Sequence, residues 1–264
     1  MFIKRKRKEA ELMTREEKMN THKTAARIFG VLFLVSFLAY GTGSALIQSI
    51  VSAPDILSRV HASQTLIVVA AIFMGVIHTF TNIGMPVVLR PVLKPRNETL
   101  YFGYLSAAIV ATVTLLVGVI FLLLLLPLSD AFMRSGSAVT GQYETMAILL
   151  REANYYSYQL GMAIWSLGGL MFCSILYRYK LIPRFMSVWS VVGYTVFLSG
   201  SILAIFGLDF GLIHTAPGAL FEVFLGIWLI VRGFDPFAFV SGATDPDDVV
   251  VTGVHQPAVV PANG

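Results

Sequence analysis

Six stretches of the chain are apolar almost without interruption: about 27–51, 64–89, 102–127, 156–178, 186–206 and 217–232. A helix needs roughly 20 apolar residues to cross the hydrocarbon core of a bilayer. The sixth run is short, so its helix is expected to include the turn around His214 to Pro217. A barrel strand alternates apolar and polar positions, and "LLVGVIFLLLLLP" does not. In lipid, such a run satisfies its backbone only as a helix. The pattern predicts an all-α polytopic bundle of six transmembrane helices, covering residues 26–234. A charged segment, 1–25, precedes it, and a Pro-, Gly- and Asp-containing tail, 235–264, is expected to be disordered.

Charge adds orientation. Of the 19 Lys and Arg, all but Arg59, Arg134 and Arg151 fall at or before the start of the first run, or at or just after the ends of the second, fourth and sixth. The positive-inside rule places those segments in the cytoplasm. Both termini are then cytoplasmic, and the expected location is a bacterial inner membrane, crossed several times. Tyr and Trp favour headgroup depth, which assigns Tyr101, Tyr104, Tyr177, Tyr179, Trp189 and Trp228 to the inner interface. Tyr155, Tyr156 and Tyr158 fall at the outer one.

The first run is too long, and too far from the start, to be a cleaved signal. The segment before it reads as a short surface helix or a solvated extension. Its acidic residues Glu9, Glu11, Glu16 and Glu17, and the lack of a binding fold, argue against a nucleic-acid partner. "GQYETMAILLREANYY", 141–156, predicts a short interfacial helix ahead of the fourth span. Asn97 heads a glycosylation sequon that falls on the cytoplasmic side, where it is a chance match. Only 13% of the 264 residues are charged, against about 25% in soluble domains.

That scarcity makes the polar residues inside the runs informative. Glu222 stands about one turn inside "GALFEVFLGIWLIVRGF". A carboxylate at the bilayer centre costs at least ~3 kcal/mol. Gly218 and Gly226 lie at i−4 and i+4, on the same face. Small residues let helices approach closely, so Glu222 is expected at a helix–helix interface. Counting depth from the outer surface, its expected partners are Tyr40, Thr42 and Ser44, Tyr158 and Gln159, and Ser199 and Ser201. No basic residue lies at that level, so hydrogen bonds rather than an ion pair are expected. His78 and Asn82, one turn apart, form a second cluster, roughly 13 Å from Glu222 in depth.

Other chemistry is unsupported. The chain has no phosphate-binding loop, no nucleophile elbow and no HExxH. His61 and His214 have no ligand spacing with other groups, and the single Cys173 reads as an apolar filler. No metal and no cofactor is expected, and an intramembrane enzyme ranks third among the readings.

The order of motifs resembles a known family. "TAARIFGVLFLVSFL" opens the first span, and "VVLRPVLKPRNETLYFGY" joins the second and third. "LYRYKLIPRFMSVWSVVGY" joins the fourth and fifth, and "FEVFLGIWLIVRGF" ends the sixth. This is similar to the bacterial integral membrane proteins grouped as domain of unknown function 4386, over about residues 24–236. The resemblance implies family positions at Pro183, Arg184, Glu222 and Trp228. It also implies a charged pair early in the third span, where this chain carries Ser106 and Ala107 instead.

Two functions fit these residues. One is an integral membrane protein that binds or carries a small or lipophilic molecule, with Glu222, His78, Asn82, Tyr158 and Gln159 as ligand or proton sites. The other is a structural or partner-binding membrane protein in which Glu222 is an internal anchor. The lipid bilayer is the surrounding partner in both.

Overall fold

The computed structural model describes residues 2–135, 140–208, 210–211 and 213–240, with side chains for those between 19 and 239. All regular structure among these residues is helical. We label the helices α1 (Phe2–Val51), α2 (Ile56–Ala62), α3 (Gln64–Leu93), α4 (Glu98–Arg134), α5 (Thr140–Arg178), α6 (Arg184–Ile205), α7 (Ala216–Val231) and α8 (Phe237–Val240). α3 is composite: its residues Ile72–Ile77 form a π-helix, and its last turn, Arg90–Leu93, follows a break at Leu89.

Five helices, α1 and α3 to α6, are long and apolar enough to cross a membrane. The sixth apolar run becomes α7, which has 16 residues. At 1.5 Å per residue that is roughly 24 Å, short of the ~30 Å hydrocarbon thickness. The expected extension back to His214 does not form. Gly207 and Gly211 take positive φ angles, 83° and 58°, which L side chains resist, and the chain folds back before Ala216.

Packing follows the chain. α1 lies against α3, α3 against α4, α4 against α5, α5 against α6, α6 against α7, and α7 returns to α1. The bundle is therefore a closed ring. Its "basic end" carries the turns with Arg90, Lys94, Arg96, Arg178, Lys180 and Arg184. A large core spans the half nearer that end, around Phe29, Tyr104, Phe172, Tyr194, Phe221 and Leu225. A smaller core at the far end joins Ile50, Leu57, Val60, Ile67, Leu122 and Ala147.

Several boundaries differ from the sequence reading. The charged 1–25 segment is not a separate helix, because α1 runs unbroken from Phe2 through the first span. The interfacial helix expected ahead of the fourth span is fused to it in the 39-residue α5. No helix breaker lies between Thr145 and the span, so one helix continues. Asn97 caps α4, its side chain accepting from the Leu100 N–H at 2.8 Å.

The tail expected to be disordered from 235 begins with packed structure. Gly233, at φ 73°, ends α7. Asp235 N–H then donates to Leu181 C=O at 2.9 Å. Arg96 donates to Ala238 C=O at 3.3 Å, and its guanidinium lies 4.3 Å from the centre of the Phe239 ring. That ring is also 4.2 Å from His22. Burial pushes Arg96 down to about 10, which leaves it a cation at neutral pH. Residues 241–264 lie outside the described residues.

Candidate functional site

The site is built by two glycines. A Cβ on Gly226 would stand 2.9 Å from Leu34 and 3.3 Å from the Gly30 carbonyl of α1. A Cβ on Gly193 of α6 would stand 3.2 Å from the Gly218 backbone. The expected close approach is thus present on both sides: α7 is wedged between α1 and α6. Glu222, between Gly218 and Gly226 on that face, is half-buried among the helices.

Its carboxyl is held by two donors. Trp165 Nε1–H, from α5, donates to Oε1 at 3.0 Å. The Tyr194 hydroxyl, from α6, donates to the same oxygen at 2.8 Å. Both donors are buried, at 6% and 1% exposure, so little water competes with them. Oε2 receives no hydrogen bond from any described residue. Ser187 Oγ and Ser201 Oγ on α6 are buried and unpartnered. No Lys or Arg among the described residues pairs with Glu222. Hydrogen bonding in place of an ion pair matches the sequence expectation.

The partners themselves differ from those expected. None of Tyr40, Thr42, Ser44, Tyr158, Gln159, Ser199 or Ser201 bonds to Glu222. The expected partners follow from a sixth helix that begins at the outer surface. Instead Gly218 abuts Gly193, near the middle of α6, and His214 packs on Gly200 closer to its end. Glu222 therefore sits deeper in the bundle, at Trp165, two turns along α5 from Tyr158. Tyr104, read as interfacial, is buried in the core beside it, with its ring 6.4 Å from Trp165 and stacked on Phe172 at 5.1 Å. Trp189, also read as interfacial, donates to the Pro217 carbonyl at 3.1 Å and helps seat the first turn of α7.

Tyr158 belongs to the other cluster. Its ring stacks on Tyr40 at 5.9 Å, and Tyr40 meets His78 edge-on at 4.9 Å. One turn on, Asn82 donates to Thr112 of α4 at 2.7 Å and lies 3.5 Å from the Ser36 hydroxyl of α1. His78 is 7% exposed, and its Nδ1 has no partner. The π-helix ends at this residue, whose N–H bonds back to Phe73 C=O. Such π segments interrupt the regular side-chain register and recur at functional positions. Nothing in the sequence marked it. Gln159 is buried, with Oε1 unpartnered, and does not join the Glu222 carboxyl.

The remaining candidates have structural surroundings. Pro183 starts α6, its carbonyl accepting from Met186 and Ser187 N–H. The Arg184 guanidinium lies 5.6 Å from the centre of the Tyr177 ring. His61 pairs with Asp130 at 3.0 Å. Cys173 is fully buried. Among the described residues, no three His, Cys, Asp or Glu side chains gather where a metal ion could bind.

Comparison with curated proteins gave no match, and comparison with solved structures gave none. A family described as "Domain of unknown function (DUF4386)" matches residues 28–233, a segment that holds the whole bundle, both glycine contacts and Glu222 with its two donors. By that match over most of its length, the chain belongs to the family of domain of unknown function 4386.

Proposed function

We propose that this is a six-crossing protein of a bacterial inner membrane that binds a small or lipophilic molecule at Glu222. One observation carries the reading. A carboxyl inside an apolar bundle has both of its protein donors on Oε1 and leaves Oε2 without one. A purely structural anchor gains most when both oxygens are bonded, because an unpaired polar atom in an apolar interior costs about 1–3 kcal/mol. A carboxyl held by one oxygen, with the other left without a donor, is oriented rather than consumed. In this reading the basic end faces the cytoplasm, following the charge asymmetry.

The test is native mass spectrometry of the detergent-purified protein beside Glu222→Gln. Glutamine keeps an oxygen for Trp165 and Tyr194, so the variant retains the fold-side contacts. A discrete adduct on the native chain, absent from the variant, supports the reading. Bulk lipid alone on both, with the variant only less stable, returns Glu222 to a scaffold role. Orientation is checked separately with single cysteines at Ser63 and Lys180 in a Cys173→Ala background. A membrane-impermeant maleimide added to intact spheroplasts should label the first and not the second.

A further inference from the structure

We propose a second site, independent of the Glu222 reading: the cleft between α1 and α3 at the basic end seats the headgroup of an anionic phospholipid. The cleft has a volume of about 420 Å³, within the roughly 300–1,000 Å³ of small-molecule pockets. It lies where α3 breaks at Leu89, ahead of Pro91. α1 lines it with Asn20, Thr21 and Thr24 toward one end and Ile28 toward the other, and α3 lines it with Val88 and Pro91. One turn deeper the two helices close up, for a Cβ on Gly84 would stand 3.3 Å from Leu32.

Polarity is graded along this cleft. Asn20 to Ile28 is roughly 12 Å of helix. An amide and two hydroxyls stand at its outer part, and aliphatic side chains follow where the apolar run begins. A phospholipid carries the same gradient. Its phosphate oxygens accept from hydroxyl and amide donors, and an acyl chain covers Ile28, which is 44% exposed. A free phosphate would leave Ile28, Val88 and Pro91 unused, so the lipid is the source.

Charge selects an anion. Residues 19–51 and 64–93, which form both walls, contain no Asp or Glu. Lys23 and Arg27 on α1, and Arg90 beside Pro91, are exposed. Among the described residues none of the three forms an ion pair. Other cations of the basic end are engaged: Lys94 pairs with Glu98 at 3.1 Å, and Arg96 donates to Ala238 C=O. Arg27 follows Thr24 by three residues, so the two are neighbours on the helix surface. Side chains lean toward the helix N-terminus, which carries the Arg27 guanidinium back toward the level of Thr24. Residues 1–18 hold seven Lys or Arg against four Glu, which keeps the local field positive. Basic pockets between helices recognise anionic lipid headgroups.

The experiment titrates the full-length protein in detergent with dioleoylphosphatidylglycerol or dioleoylphosphatidylcholine, which share their chains and differ in net charge. Native mass spectrometry counts the lipids bound. The first phosphatidylglycerol should bind saturably, one per chain, and roughly tenfold or more tighter than the first phosphatidylcholine. The pair Lys23→Gln and Arg27→Gln should remove most of that preference without lowering the melting midpoint. Arg27→Lys should keep it. Lys180→Gln, which removes an exposed cation of the same end outside α1 and α3, should leave it unchanged. Thr24→Trp fills the cleft and retains every charge, and it should displace the tight lipid. That lipid should persist in Glu222→Gln, which separates it from the ligand proposed there.

Equal binding of the two lipids overturns the inference. So does a preference that falls as much in Lys180→Gln as in the Lys23 and Arg27 pair, which would make it general surface charge. A tight lipid undisturbed by Thr24→Trp removes it from the cleft. Displacement of phosphatidylglycerol by glycerol 3-phosphate alone would assign the cleft to a soluble phosphate and overturn the lipid.

Discussion

Gly169 on α5 offers the sharpest test of how the site is assembled. A Cβ added there would stand 2.7 Å from Cδ1 and Cε1 of Tyr194 and 2.8 Å from Cζ, where ordinary contact begins at 3.4 Å. The ring must retreat by roughly 0.7 Å to relieve the overlap. The Tyr194 hydroxyl is only 2.8 Å from Glu222 Oε1, so the retreat weakens or breaks that bond. Overpacking costs about 1–3 kcal/mol. Losing the hydrogen bond adds about 0.5–1.5 kcal/mol. Alanine recovers up to about 1 kcal/mol through helix propensity. Gly169→Ala should therefore destabilise the protein by about 1–3 kcal/mol on balance. Unfolding in detergent micelles, followed by tryptophan fluorescence, measures it. The decisive comparison is the same change in a Tyr194→Leu background. There the ring is gone, so Gly169→Ala should be neutral or mildly stabilising. An equal cost in both backgrounds would refute the assigned contact between Gly169 and Tyr194.

Four further outcomes follow. Tyr194→Phe and Trp165→Phe should each cost about 1 kcal/mol, and the double variant should depart from additivity because both donors share Oε1; denaturant midpoints of the four proteins give the coupling. Gly30→Ala should cost more than about 2 kcal/mol, since its Cβ would stand 2.5 Å from the Gly226 carbonyl, backbone that cannot rotate away; thermal melting reads it. Asn82→Leu should cost about 1 kcal/mol by removing the 2.7 Å bond to Thr112 while keeping volume, again seen as a lower midpoint. Phe239→Ala should lose its contacts with Arg96 and His22, costing about 0.5–2 kcal/mol, and should speed proteolytic cutting between residues 233 and 240.

The family match extends over nearly all of the apolar part of the chain, residues 28–233, and the family is one of unknown function. The physical reading of the site therefore carries the functional argument. Other buried polar groups are hydrogen-bonded within the bundle or closed off. The buried Thr112, Ser157 and Ser166 bond back to carbonyls of their own helices, a common way for hydroxyls to sit in apolar helices.

What the sequence determined is what lipid imposes on any chain. Backbone groups in an apolar solvent must be satisfied within the segment, so long apolar runs had to be helices and their order could be read directly, while five of the resulting helices are long and apolar enough to cross a membrane. The Gly218–Glu222–Gly226 face was legible because helical periodicity and side-chain size are local properties. The partners were not. Which residues meet Glu222 depends on where α7 begins relative to α6. That start is set by the turns at Gly207 and Gly211 and by the seat of Gly218 against Gly193. Depth counted from an assumed surface therefore picked Tyr158 and Ser199, while the tertiary register delivered Trp165 and Tyr194. The π segment before His78, the pairing of Tyr40 with Tyr158, and the docking of 235–240 on Arg96 are likewise decided by contacts between distant parts of the chain. Local pattern fixes which element forms and which face it buries, and only packing of the closed ring fixes the level at which those faces meet.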